Sequence, residues 1–165
     1  MMPADRRIRP LLRAEAPLVA AFYQAAPDYW LLAEGGCDPD RQASDFFTDA
    51  PPGCDPAQSD RLGLFLAGRL SGVAEVSYGF PEAGDAYLGL MLLGPWAQGQ
   101  GHGRAFLAQA EALARARGAP VLCLAVLDAN PRGRAFWLRE GFLPTGRRGQ
   151  DAATGQWLER LQKRL

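Results

Sequence analysis

Val121 to Leu127 reads Val-Leu-Cys-Leu-Ala-Val-Leu, seven apolar residues in succession. A strand wet on one face alternates polar and apolar residues, so an unbroken run of this kind reads as a strand buried on both faces. Such a strand needs cover on two sides. Helical patterns flank it. Arg104 to Arg117 places Phe106, Ala110, Leu113 and Ala114 on one face, with Gly118 as a ready C-cap. Asn130-Pro131 pairs an N-cap with a proline suited to the first helical position, and the helix it opens runs to about Glu140 and closes at Gly141. Phe142 onward reads as a strand, and Gln156 to Leu161 as a final strand or a short helix.

The N-terminal half is built differently. Ile8 to Leu12 suits a first strand. Ala14 to Ala25 suits a helix with Leu18, Ala21, Phe22 and Ala25 on its apolar face, stopped by Pro27. Residues 28–60 are broken by Gly35-Gly36, Pro51-Pro52-Gly53 and Pro56, so they predict helical pieces between loops. Pro39 to Thr48 is the best of these, with Phe46 and Phe47 as its apolar contribution. Leu62 to Ala67, Val73 to Tyr78 and Ala86 to Leu93 then predict an antiparallel meander, with turns at Gly68–Gly72 and Pro81–Gly84. At 165 residues the whole chain, 1–165, is read as a single α/β domain.

Several chemistries fall away on residue counts. Lys163 is the only lysine and His102 the only histidine. A P-loop lysine, a Schiff-base lysine and a zinc site built on several histidines are therefore excluded or improbable, and no metal is expected. Eighteen basic and eighteen acidic residues give zero formal charge, unlike a dedicated nucleic-acid binder. Cys37, Cys54 and Cys123 are odd in number and lack C-x-x-C spacing, which suits reduced thiols in a cytoplasmic protein. No apolar run reaches the ~18 residues of a membrane span. Met1 to Pro10 lacks the apolar core of a secretion signal.

Between the strand at 86–93 and the helix from 104 lies Gln98-Gly99-Gln100-Gly101-His102-Gly103-Arg104. Three glycines on alternate positions leave the backbone bare. The helix that follows presents unpaired N–H groups and the positive end of its dipole. Together they form an anion cradle suited to a pyrophosphate. The dinucleotide fingerprint G-x-G-x-x-G fails, since Arg104 stands where the third glycine should be.

What the loop does satisfy is Q/R-x-x-G-x-G/A, through Gln98, Gly101 and Gly103. A second block follows: Val126-Leu127-Asp128-Ala129-Asn130, then Phe136-Trp137-Leu138-Arg139-Glu140-Gly141-Phe142. In order and spacing the two blocks resemble the landmarks of the GNAT superfamily of N-acetyltransferases, and the meander and helices before them follow the family's order. The resemblance implies a mixed, mostly antiparallel sheet flanked by helices, with a splayed strand pair forming a cleft for acetyl-CoA. It places Met91, Leu92 and Leu93 along the pantetheine, where backbone donors can hold the thioester oxygen. It puts Gln98, Gly99, Gln100, Gly101, His102, Gly103 and Arg104 at the pyrophosphate. Asn130 and Trp137 fall near the thiol end, and Asn130 serves equally as a helix N-cap. Arg132 and Arg134 can reach the adenosine phosphates or simply be solvated. His102 reads as a loop side chain and not as a base.

One position departs from the family. Many members carry a tyrosine four residues before the Gly of Gly-Phe and use it to protonate the departing thiolate. Trp137 stands there, and an indole does not deliver that proton. Water, another residue or no acid must serve, since a thiol pKa of about 8.5 makes thiolate a tolerable leaving group. An ammonium acceptor also needs a base. Glu75, inside an otherwise apolar strand, is the first candidate, with Tyr78 and Tyr87 as alternatives.

The resemblance makes residues 28–60 the acceptor side. They hold eight carboxylates and one arginine, which suits a small cationic amine or a basic peptide end. The expected activity is direct acetyl transfer from acetyl-CoA to a primary amine. Alternatives are acetylation of a peptide or protein, and a non-catalytic acyl-CoA-binding regulatory module. No nucleic-acid or membrane partner is expected, and a homodimer is left open.

Overall fold

The computed structural model describes residues 5–165; the first residues of the stretch read for a secretion signal lie outside the described residues. Seven strands share one sheet: β1 (Arg6–Pro10), β2 (Asp60–Leu66), β3 (Arg69–Tyr78), β4 (Ala86–Leu93), β5 (Val121–Leu127), β6 (Leu143–Gln150) and β7 (Trp157–Arg164). Their spatial order is β1-β2-β3-β4-β5-β7-β6. Five α-helices accompany them: α1 (Ala16–Ala25), α2 (Asp28–Glu34), α3 (Pro39–Thr48), α4 (His102–Ala116) and α5 (Pro131–Arg139). Every neighbouring strand pair is antiparallel except β4 and β5, which α4 joins as a crossover.

The sheet carries helices on both faces, but the strand Val121–Leu127 is buried fully on one only: Leu122, Leu124 and Val126 join the α4 core, while Val121, Ala125 and Leu127 on the other face are partly buried. On one face Phe106, Leu107, Ala110 and Ala114 of α4 pack on Leu62, Leu64, Ala74, Val76, Leu88, Leu122 and Leu124. On the other, α1 and α3 bring Val19, Phe22, Tyr23, Ala43 and Phe46 against Phe65, Leu70 and Val73. Alternate residues of one strand thus feed opposite cores.

Some local expectations shift. The buried face of α1 is Val19, Ala20, Phe22 and Tyr23, while Leu18 is 38% exposed. This helix is apolar around most of its circumference, so several faces fit the period. The face carrying the bulkiest side chains is the one buried. The β2–β3 turn is Ala67-Gly68, not Gly68–Gly72: both residues have positive φ (49° and 81°), the backbone of a tight hairpin turn. Gly72 belongs inside β3, where a Cβ would meet Leu93 Cδ2 at 2.8 Å and the Leu92 carbonyl oxygen at 2.9 Å. The first strand is Arg6–Pro10 and not Ile8–Leu12, set by pairing with β2 from Arg6↔Leu66 to Pro10↔Leu62. Helix α4 begins at His102, so two loop residues already belong to its first turn.

Candidate functional site

The two central strands part company. β4 and β5 pair only at Ala86↔Leu122 and Tyr87↔Cys123. Beyond those positions they separate, and a cleft of about 960 Å³ opens between them. Leu88 to Leu93 form one wall and Leu124 to Leu127 the other. Past Tyr87 and Cys123 the two facing edges share no ladder, so their N–H and C=O groups are available to an extended polar ligand.

Within β4 the wall carries a bulge. Glu75 pairs with Leu90 and Val76 with Leu88, which leaves Gly89 as the extra residue. A Cβ on Gly89 would lie 2.2 Å from Glu75 Oε2. The Glu75 carboxylate therefore packs directly on the bare backbone of Gly89, which lines the cleft. Glu75 is 8% exposed. Burial pushes its pKa up, opposed by a hydrogen bond that Ser77 Oγ donates to Oε1 and by the charge of Arg61. Ser59 Oγ lies 2.8 Å from Ser77 Oγ and extends this chain.

The other two base candidates are placed differently. Tyr78 hydrogen-bonds Asp60, and the Arg117 guanidinium stacks 4.2 Å from its ring centroid. Burial pushes its phenol pKa up, and it is not on the cleft wall. Tyr87 sits where β4 and β5 part, edge-on to Phe80 with centroids 5.1 Å apart. Burial pushes it up to about 12. Both phenols are thus poor bases near neutral pH.

At the open end the chain turns through Pro95–Ala97 into the glycine loop. Gln98 Nε2 donates to the Leu93 carbonyl at 3.2 Å, tying the loop to β4. Gly99 and Gly101 have φ of 75° and 84°, the left-handed region that favours glycine. Gly101 is also the N-cap of α4 and offers no capping side chain. The N–H groups of His102, Gly103 and Arg104 therefore lack intrahelical acceptors at the positive end of the helix. Gln98, Gly99, Gly101, Gly103 and Arg104 line the cleft. Gly103 is a point of close approach, since a Cβ there would lie 3.3 Å from Phe136 Cε1.

Two residues expected in the cradle are not on its wall. Gln100 donates from Nε2 to the Trp96 carbonyl at 3.3 Å. His102 is 8% exposed, and its Nδ1 lies 3.4 Å from Arg6 Nη1 of β1. Burial, then the Arg6 charge, lowers its pKa. The helical turn that begins at His102 swings the ring inward, so its side chain packs and does not face a phosphate.

Helix α5 closes the second wall. Asn130 Oδ1 accepts from the Gly133 N–H at 3.0 Å and caps the helix, while Asn130 also lines the cleft. Asn130 is thus an N-cap that stands on the cleft wall. Replacing it by Ala should cost about 1 kcal/mol of stability through the lost cap, read as a lower denaturant midpoint at unchanged slope. Trp137 lines the cleft between Phe136 and Phe142, with centroids 5.0 and 5.4 Å away. Arg132 and Arg139 reach the cleft, whereas Arg134 turns to Glu159 at 2.7 Å. Arg104 also lines the cleft; its side chain is 82% exposed and its Nε lies 3.4 Å from Glu140 Oε1.

The far end is lined by Phe22, Ala26, Asp28, Tyr29 and Leu32. Gln156 Nε2 donates to the Leu32 carbonyl at 2.8 Å, so the β6–β7 connection reaches α2 and borders this end. The acidic wall anticipated from residues 28–60 is not assembled. Asp38 and Asp55 cap helical turns, Glu34 and Asp45 pair with Arg41, and Asp60 holds Tyr78. Of the eight carboxylates only Asp28 lines the cleft. Sequence reasoning overlooked Gly89, Gly133 and Arg139. A glycine inside an apolar strand signals a bulge, and Gly89 carried that signal.

These features suit acetyl-CoA. A bare, positively biased loop can accept a pyrophosphate, two unpaired strand edges can accept a pantetheine arm, and Arg104, Arg132 and Arg139 line the same cleft. Among the described residues no cluster of potential metal ligands occurs, and no helix is long and apolar enough to cross a membrane.

Comparison with known proteins points the same way. The profile of the acetyltransferase (GNAT) family matches residues 19–142. An acetyltransferase from Thermus thermophilus superposes with a TM-score of 0.75 at 27% identity, covering 100% of both chains. The GNAT domain of PAT from S. lividans gives 0.73 at 20% identity, covering 97% of this chain and 90% of that one. The ribosomal-protein-S18-alanine N-acetyltransferase from Escherichia coli gives 0.70 at 18% identity, covering 96% and 93%. No curated protein sequence matches the chain.

Proposed function

This chain belongs to the acetyltransferase (GNAT) family, and from that premise we propose that it moves an acetyl group from acetyl-CoA to the primary amine of a small molecule by direct attack. The observation that carries the reading is the cleft where β4 and β5 part, with the glycine loop at one end and Glu75 behind Gly89 along its wall. The Gln98–Arg104 loop holds the pyrophosphate, and the free edge of Met91, Leu92 and Leu93 pairs with the pantetheine. Leu88, Gly89 and Leu90 at the bulge line the cleft, and backbone N–H groups there would stabilise negative charge on the thioester oxygen.

The acceptor enters from the end bounded by α2. Asp28 attracts its ammonium, and Phe22, Tyr29 and Leu32 pack its body. Glu75, acting through water, takes a proton from that ammonium. The amine nitrogen then bonds to the carbonyl carbon, the carbon–sulfur bond breaks as the nitrogen gives up its second proton to water, and CoA leaves as a thiolate that takes a proton from solvent. A thiol pKa of about 8.5 permits this without the acid that Trp137 cannot supply. The chain works as a single domain, and the acidic count of residues 28–60 reduces to one carboxylate at the cleft.

The test is thiol release from acetyl-CoA over a panel of primary amines. Turnover with small amines and none with peptide N-termini is the expected result. Turnover confined to peptides replaces the acceptor class. Acetyl-CoA binding without turnover on any amine makes the chain a binding module and removes the enzymatic reading.

A further inference from the structure

We propose that Arg160 of β7 binds a carboxylate on the acceptor, so that the amine this site takes is that of an amino-acid-like molecule. The inference rests on the acetyltransferase reading above and names its substrate class.

The placement follows from strand register. Arg160 stands opposite Ala125 of β5, and Ala125 lines the cleft. Directly opposed residues of antiparallel strands project from one face with Cβ atoms about 5 Å apart. On β5, Leu122, Leu124 and Val126 face the α4 side. Ala125 and Arg160 therefore point to the other side, that of α2 and the acceptor end. The β6–β7 connection that leads into Trp157 is tied to α2 by Gln156. Arg160 itself is not on the cleft wall; it stands one strand behind Ala125, on the sheet face opposite α4.

Its environment is unusual for an arginine. The guanidinium lies 5.0 Å from the Phe80 ring centroid, and Phe80 is edge-on to Tyr87. Its charge acts on Tyr87 and on Cys123, the pair where the strands part, lowering both pKa values against the effect of burial. Asp85 acts on the same Cys123 thiol, yet it forms no ion pair with Arg160. Among the described residues Arg160 joins no ion pair. Its Nε–H is buried without a hydrogen-bond partner. By contrast Arg134, one cleft wall away, is satisfied by Glu159, and Arg61 by three backbone carbonyls.

A half-buried guanidinium with an unused donor is costly to leave unmatched. Its planar fork matches a carboxylate through two parallel hydrogen bonds. Asp28 lines the cleft at α2, and Arg160 stands behind Ala125 of the β5 wall, so an acceptor carboxylate that passes Ala125 would meet the guanidinium while Asp28 draws the ammonium.

The experiment uses the full chain with acetyl-CoA and matched acceptors: amino acids and the amines that lack only their carboxyl group. For the wild type, kcat/KM should favour the carboxylate member by about 10-fold or more, the scale of a charged hydrogen bond. Arg160→Gln should erase that preference through the acceptor KM while leaving the acetyl-CoA KM unchanged. Arg160→Lys keeps the charge over Phe80 and should retain part of the preference, which separates recognition from misfolding. Turnover with no preference, or a preference untouched in Arg160→Gln, overturns the Arg160 assignment and leaves the acetyltransferase reading standing. If no acceptor turns over, calorimetric binding of the amino acids to the CoA-loaded protein decides. Binding lost in Arg160→Gln keeps the carboxylate site and removes the enzymatic reading; no binding removes both.

Discussion

Gly101→Asp should lower acetyl-CoA affinity by at least about 100-fold, equivalent to about 2.7 kcal/mol. Two effects combine. Gly101 has a φ of 84°, which costs an ordinary L-residue about 1–2 kcal/mol. Aspartate is among the residues that tolerate this region best, so the fold should survive. The larger effect is charge. A carboxylate at the N-cap of α4 would accept from the same free N–H groups that the pyrophosphate needs, and would repel it. Open space surrounds the position, with nothing within 4 Å of a built Cβ, so steric collision is not the cause. Gly101→Ala isolates the backbone cost and should lose less than about 10-fold. Titration calorimetry with acetyl-CoA measures both. Undiminished affinity in Gly101→Asp would place the phosphates elsewhere.

Glu75→Gln should cut kcat by about 100-fold or more, the usual scale for removing a positioned base, with acetyl-CoA affinity little changed. The pH profile adds a second readout. Burial raises the Glu75 pKa, so the active carboxylate forms only above the ordinary carboxylate range and the rate should rise with pH through that raised value. The rising limb should vanish in Glu75→Gln. Stability carries the opposite sign. A carboxyl whose pKa is higher folded than unfolded favours the fold at low pH, and that contribution is lost as pH rises through the folded value. Glu75→Gln should therefore be at least as stable as the wild type at neutral pH while being far slower. Gly89→Ala offers an independent approach, since its Cβ would drive the carboxylate off the bulge. An unchanged kcat in both variants would clear Glu75 of the base role.

Much of the architecture was legible because short-range physics governs it. The apolar run Val121–Leu127 was legible as an interior strand, and the α4 core takes Leu122, Leu124 and Val126; its other face borders the cleft at Ala125 and Leu127 and is not covered by α1 and α3. Pro39–Thr48 and Pro131–Arg139 carry their own start signals, an Asp38 or Asn130 cap followed by proline, and each folds between the expected ends. The loop Gln98–Arg104 was legible for the same reason, because positive φ selects glycine locally. The buried face of α1 was not. Its apolar residues surround the axis, and only the partner surface of β3 and α3 chooses among them.

Chemistry divides along the same line. Residue order by itself set a glycine-rich loop between a strand and a helix, made a P-loop or Schiff-base lysine improbable with Lys163 the sole lysine, and left one histidine, too few for a multi-histidine metal site. Net charge over a segment did not survive folding, since most carboxylates in 28–60 are taken by their own neighbours: caps, Arg41 and Tyr78 occupy five of the eight. Only the tertiary structure turned His102 toward Arg6, set Glu75 on Gly89, and left the Arg160 Nε–H buried without a partner. These are contacts between residues far apart in the chain. Their geometry depends on sheet register, a bulge and helix docking, and no local pattern of residue types encodes it.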